Sequence, residues 1–300
     1  MVAPLAEYPF RSHWFVHQGL RQHYLDEGDP DKPAVVLLHG NPTWSFYYRK
    51  LIAPLALNHR VIVPDHMGCG YSDKPEAYPY TLARHRDNLT ALLEHLGIQR
   101  ASLVLHDWGG VIGMAHATRH PERIERLVVL NTAAFVLPRI PMRIQICRYP
   151  LLGPVLVRGL NAFLWLSFLF ATRQWGRFTR PVRAGYLAPY DDWNHRVAIQ
   201  RFVEDIPLEA DHPTRPVLAG IEENLPRLAD HPMLILWGTG DFCFTARHFL
   251  ARWRELFPRA RVELLRGAGH YVVEDAWERL LPLMVPFLES RQDDPDPVQL

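Results

Sequence analysis

Asp107 stands at the tip of Leu103–Gly110, LVLHDWGG, where an apolar run stops, one acidic residue follows and a Gly-Gly pair opens a helical pattern. A strand–turn–helix corner of this kind holds its central side chain in a strained conformation at the carboxyl edge of a sheet, where it is presented for attack. Taken alone, Asp before Gly-Gly also suits a helix N-cap. A carboxylate so presented attacks carbon to form an ester, either by displacing a leaving group from saturated carbon or by adding to an activated carbonyl. Corners of this type commonly carry a small residue two before the nucleophile; here that residue is Leu105.

A base and an acid to orient it follow in chain order. His270, in RGAGHYVVED, is singled out among 16 histidines because it comes just after the final apolar run, where small residues make a loop at the same sheet edge. Asp241, in LILWGTGDFCF, follows the preceding run through a glycine turn, and its carboxylate would fix one tautomer of His270 and stabilise the imidazolium. The competing acid position, after Leu127–Leu130, holds Asn131 and Thr132; Glu274 and Asp275 read as the start of the next helix. Two candidate anion-stabilising groups complete the set. Asn41, in His39-Gly40-Asn41-Pro42 after AVVLL, and Trp108 would each offer a backbone amide, and each also has a side-chain N–H. Donors converging over a carboxylate would cradle a leaving anion. The glycine-rich DHMGCGYSDKP (Asp65–Pro75) lacks the spacing of a phosphate loop and reads as structural.

The elements that must position these residues alternate. Trp14–Leu25 reads as a hairpin turning at Gly19. Ala34–Leu38, Val61–Val63, Leu103–Leu105, Leu127–Leu130, Met233–Trp237 and Val262–Leu265 read as strands, the continuous apolar ones being buried on both faces. Helices are expected over Thr81–Leu96 and Gly110–Arg119. That alternation predicts an α/β fold with a mainly parallel, eight-stranded sheet and helices on both sides. Between about Ala134 and Leu225 the text turns helical, proline-punctuated and aromatic. Residues 135–225 are therefore assigned to an inserted helical cap, and 1–134 with 226–300 to the core. The tail from Arg291 is expected to be disordered.

The 300 residues carry 48% apolar and 22% charged side chains and a formal net charge of +1, so a nucleic-acid partner is not expected. Three widely spaced cysteines, Cys69, Cys147 and Cys243, lack metal-ligand spacing; free thiols in a cytoplasmic protein are the simplest reading. Met1–Phe10 lacks the pattern of a signal peptide. Leu151–Ala171 is long enough to span a bilayer, but Arg158, Asn161, two glycines and a proline favour a bent helix pair over a transmembrane span.

HGNPTWSF, DHMGCGYSDKP, HDWGG, WGTGD and GAGH together resemble the haloalkane dehalogenase branch of the α/β-hydrolases over nearly the whole chain. The resemblance implies an α/β-hydrolase fold without a cofactor, Asp107 as nucleophile, His270 as base, Asp241 as its orienting acid, and Asn41 with Trp108 holding the leaving anion. RIPMRIQICRYPLLGPVLVRGLNAF (139–163) and GYLAPYDDWNHRVAIQRFVEDIPL (185–208) are similar to the β-lactone decarboxylases of bacterial long-chain olefin biosynthesis. These relatives convert cis-3,4-dialkyl-β-lactones to cis-alkenes and carbon dioxide. The likeness implies a small apolar substrate with long alkyl chains, and company with other olefin-pathway enzymes. Two alkyl chains need a dry channel, for which Leu151, Val155, Phe163 and Leu166 are the candidate lining residues.

The alternative reading is a haloalkane dehalogenase, which shares the same residues. An epoxide hydrolase would need two cap tyrosines, for which Tyr149, Tyr186 and Tyr190 are available, and usually an aromatic residue where Asn41 stands. A fluoroacetate dehalogenase would want arginine where Trp108 stands. From another class, a catalytically silent ligand receptor is opposed by the complete Asp107–His270–Asp241 set.

Overall fold

A computed structural model describes residue 5 and residues 7–136 and 140–290. The expected disorder of the tail from Arg291 concerns residues outside that range. Eight strands form one sheet: β1 (Ser12–His17), β2 (Leu20–Glu27), β3 (Ala34–Leu38), β4 (Arg60–Pro64), β5 (Ala101–His106), β6 (Ile124–Leu130), β7 (Met233–Gly238) and β8 (Arg261–Leu265). Their order across the sheet is β1-β2-β4-β3-β5-β6-β7-β8. β1 and β2 pair antiparallel, as do β2 and β4, and the remaining pairs are parallel. The β1–β2 turn needs positive φ at both of its central residues, supplied by Gln18 (52°) and Gly19 (77°).

The period of two along a strand explains why AVVLL is apolar throughout. Val35 and Leu37 face one hydrophobic layer, whereas Ala34, Val36 and Leu38 face the other. On the first side lies helix α1 (Arg49–Ala56). On the second lie α2 (Leu82–His95), whose N-cap Thr81 accepts a bond from the Arg84 amide, and α3 (Trp108–Ala117). α3 begins two residues earlier than the sequence pattern suggests, directly at the residue after Asp107.

Between β6 and β7 the described chain is helical, with α4 (Ala162–Phe170), α5 (Arg180–Leu187), α6 (Val197–Glu204) and α7 (Arg215–Asn224) among its elements. The apolar stretch Leu151–Ala171 is broken at Asn161, which has a left-handed backbone, and the segments Leu152–Gly159 and Ala162–Phe170 meet at 75°. Among the described residues no single helix is long and apolar enough to cross a membrane. After β8, α8 (Val272–Glu289) closes the first layer.

A buried ion pair ties one of these helices to α1 and α8. The Arg49 guanidinium of α1 bonds both carboxylate oxygens of Glu274 at the start of α8, and the Tyr186 hydroxyl of α5 donates to the same carboxylate at 2.8 Å. Arg49 and Glu274 are almost fully buried, and the other carboxylate on Arg49, Glu7, is half exposed. Breaking such a pair from one side strands a charge in a poorly solvating interior. Glu274→Ala is therefore expected to destabilise the fold by about 3 kcal/mol, with Glu274→Gln milder, as measured by urea unfolding.

Candidate active site

The site begins with a strained backbone. Asp107, between β5 and α3, has φ 50° and ψ −128°, a conformation that costs a non-glycine residue about 1–3 kcal/mol unless its surroundings enforce it. Three contacts enforce it. The Thr132 hydroxyl donates to the Asp107 carbonyl at 2.5 Å, the Asp107 amide donates to the Asn131 carbonyl, and α3 presses against β3 where Gly109 leaves no room for a Cβ beside the Leu38 carbonyl. The large residue at position 105 is accommodated one turn along the helix: the Leu105 side chain occupies the space that a Cβ on Gly113 would need. Gly40 likewise leaves space for the Asp107 carboxylate itself.

The amides expected to form an anion hole both meet on that carboxylate. Asn41 N–H donates to Asp107 Oδ1 at 2.7 Å, and the Trp108 amide lies near enough to the same side chain to lower its carboxyl. The Asn41 carboxamide donates to the Ile199 carbonyl of α6 at 3.1 Å, which fixes its plane and leaves its second N–H hydrogen uncommitted, while its Oδ1 is buried without a partner. The Trp108 ring packs against Phe202, and both Asn41 and Trp108 line the same cavity as Asp107.

His270 faces Asp107 Oδ2 through Nε2 at 3.6 Å and bonds Asp241 Oδ2 through Nδ1 at 2.9 Å. Asp241 is itself held. Its Oδ1 accepts the amides of Cys243 and Phe244, and its Oδ2 accepts the Asn131 carboxamide at 3.0 Å. Asn131 also exchanges two bonds with the Gly238 backbone, so the residue at the competing acid position serves to anchor the acid on the neighbouring strand. Phe244 stacks on the imidazole. Burial lifts the Asp107 carboxyl above its ordinary value, although His270 and the two amides pull it down. Burial alone would lower His270, but the charge and hydrogen bond of Asp241, with Asp107 behind them, hold it above the usual imidazole value. Glu274 and Asp275 lie at the start of α8 and are committed elsewhere, Asp275 to Thr172 and to the amides of Gly269, Arg173 and Gln174.

Asp107, His270, Asn41 and Trp108 open into a cavity of about 350 Å³ with an otherwise largely apolar wall. Phe163 and Leu166 of α4 line it. Leu151 and Val155 do not: they are 88% and 52% exposed, on the outer face of a segment whose Leu156 lines the wall instead. Of the three tyrosines considered for an epoxide, Tyr149 is exposed, Tyr186 is bonded to Glu274 and Tyr190 bonds the Thr43 carbonyl, and none lines the cavity. Two neighbours escaped the sequence pattern. His106, next to Asp107 in HD, bonds the His270 carbonyl at 2.8 Å and stacks on Tyr47. Arg143 lines the cavity with its guanidinium over Phe170 and Phe242. The loop Asp65–Pro75 is structural: Asp65 is fully buried, bonded to His23 and to the Ser45 and Tyr71 amides.

The α/β-hydrolase fold family model matches residues 33–276. The chain belongs to the α/β-hydrolases. It is 45% identical over 291 residues to a cis-3-alkyl-4-alkyloxetan-2-one decarboxylase of Shewanella oneidensis, covering 95% of this chain and 90% of the relative. It is 43% identical over 286 residues to the enzyme of the same name from Xanthomonas campestris pv. campestris, covering 91% and 94%. Haloalkane dehalogenase 2 of Mycobacterium tuberculosis is 32% identical over 279 residues, covering 93% and 95%. Among solved structures, haloalkane dehalogenase DbeA from Bradyrhizobium elkani shares the fold with a TM-score of 0.84 at 23% identity, over 92% of this chain and 96% of that one.

The opposing contributions at His270 give a direct test in this α/β-hydrolase. Asp241→Asn removes the strongest of the contributions that together outweigh burial, so the imidazole is expected to titrate lower in the variant than in the native protein, where it lies above its ordinary value. Ring-proton NMR of His270 against pH measures both.

Proposed function

We propose that this α/β-hydrolase converts cis-3-alkyl-4-alkyloxetan-2-ones, which are β-lactones, to cis-alkenes and carbon dioxide, with Asp107 as nucleophile. The observation that carries the reading is a buried carboxylate at a strained elbow, opening into a largely apolar cavity, in a chain 45% identical to a decarboxylase of that substrate class. The strained ring carries its own leaving group, a carboxylate on saturated carbon. Asp107 Oδ2 attacks the ring carbon bound to oxygen, the C–O bond breaks with inversion, and the freed carboxylate is steadied by Asn41 and Trp108. The C–C bond to that carboxylate then breaks, its electron pair forms the double bond, carbon dioxide leaves, and the bond to Asp107 breaks to restore the carboxylate. Inversion followed by antiperiplanar loss is a net syn elimination, so a cis lactone gives a cis alkene.

No water is consumed on this route. His270, in its charged form and oriented by Asp241, stabilises Asp107 as nucleophile and as leaving group. Residues 135–225 act as the cap, with Phe163 and Leu166 as walls for the alkyl chains. The three unpaired thiols support a cytoplasmic setting. A dehalogenase reading is favoured by one observation, the Asn41–Trp108 pair beside Asp107, which would hold halide equally well.

Purified protein offered a cis-β-lactone and a 1-haloalkane side by side is expected to release alkene from the first. Halide release without alkene overturns the proposal. Asp107→Asn is expected to lower alkene formation by about 10³-fold or more. In oxygen-18 water, turnover is expected to leave the Asp107 carboxylate unlabelled, whereas hydrolysis of an alkyl-enzyme ester would label it. Since both site groups titrate above their ordinary values, kcat/KM is expected to fall at the acid end above the usual aspartate range, and at the alkaline end above the usual imidazole range.

A further inference from the structure

The inserted segment has a face that the chemistry does not use. α4 reads AFLWLSFLF and has no charged side. A helix apolar all round is normally buried on all sides, yet Leu164 and Phe168 are buried while Trp165 and Leu169 are 49% and 52% exposed. The preceding segment extends the patch through Leu151, Leu152, Val155 and Leu160, all exposed. Trp175 joins it, itself exposed and bonded through its indole N–H to the Leu169 carbonyl. Exposed aliphatic and tryptophan side chains on consecutive elements mark a binding surface rather than ordinary surface scatter.

Charge narrows what that surface meets. From Asn131 to Tyr190 the chain carries eight arginines and no lysine, aspartate or glutamate, although the whole chain is only +1. Some of these charges are spent: Arg148 pairs with Glu209, Arg158 with Glu76 and Arg177 with Glu278. Arg143, Arg173, Arg180 and Arg183 have no carboxylate partner among the described residues, and Arg143 lies over Phe170 at the end of α4. Apolar and tryptophan side chains flanked by arginine match a negatively charged lipid interface, in which the apolar face sinks to the acyl boundary and the cations meet headgroups. A second copy fits less well, because a two-fold contact would set two arginine-flanked faces against each other. The patch is also continuous with the cavity: Leu166 and Phe170 both line the cavity and are exposed on the patch side of α4.

We propose that the face formed by Leu151–Leu160, α4 and Trp175 docks on an anionic phospholipid membrane without spanning it. On the function proposed above, the docked cavity opens toward the layer in which a dialkyl lactone dissolves, and substrate passes from bilayer to Asp107 along α4.

The test is flotation of the full chain with vesicles of phosphatidylcholine alone or containing phosphatidylglycerol. Leu151→Glu, Leu160→Glu and Leu169→Glu lie on the patch and off the cavity wall. The native chain is expected to float with the anionic vesicles, more weakly with neutral ones, and less at high salt, where charge contacts are screened. Each substitution is expected to lower partitioning about tenfold, from lost apolar burial and added repulsion. Turnover of a short-chain, water-soluble lactone in detergent-free buffer is expected to stay unchanged in the variants, which also reports that they fold. Failure of the native chain to float, or equal flotation of native and variant chains, overturns the docking proposal. So does a native dimer in size-exclusion chromatography that these variants make monomeric, with no vesicle binding; the face would then join copies of the chain. Flotation without any lactone turnover would leave docking standing and remove the proposed reaction instead.

Discussion

Everything in the site depends on holding one carboxylate in a conformation that its own backbone disfavours. Asp107 has positive φ, and no single contact accounts for that. β5 delivers it to the sheet edge, Thr132 and the Asn131 carbonyl pin its peptide groups from β6, and α3 presses against β3 through Gly109. A side chain presented this way reaches the amides of Asn41 and Trp108 on one side and the imidazole of His270 on the other. The strain is therefore distributed over three adjacent strands and one helix, each with a fully buried core face.

A second constraint follows from burial. Asp107, His270 and Asp241 are all nearly inaccessible, so each charge must be met by another or by a dipole. Asp241 is met by two amides and the Asn131 carboxamide, His270 by Asp241, and Asp107 by two amides and His270. The chain of partners runs from the β7 loop through the β8 loop to the β5 elbow. A largely apolar cavity wall strengthens every step of it, because few solvent dipoles compete. Arg49–Glu274–Tyr186 applies the same rule elsewhere, joining α1 and the start of α8 to α5.

Much of this was legible in the residue order. The strands appear as apolar runs, the hairpin turns at Gly19, and Asp107, Asp241 and His270 each follow a strand in the order of an elbow, an acid and a base. The roles of Asn131, Thr132, His106 and Arg143 were not legible, because each acts on a residue distant in sequence or on a backbone atom. The outward turn of Leu151 and Val155 was hidden for a related reason. An apolar residue reads alike whether it lines a cavity, fills a core or faces outward: the consecutive Val155, Leu156 and Val157 are respectively exposed, on the cavity wall and buried.

By itself, the sequence determined the sheet, the elbow and the types of the three charged groups, since strand periodicity and turn chemistry are local properties of the chain. Tertiary structure decided which oxygen of Asp107 each partner meets, which side chain steadies the acid, which apolar residues line the cavity and which are left on the surface. Those outcomes depend on distances between segments far apart in sequence, such as the 66 residues from Asn41 to Asp107 and the 110 from Asn131 to Asp241. Such distances are set by packing on both faces of the sheet, and no local pattern encodes them.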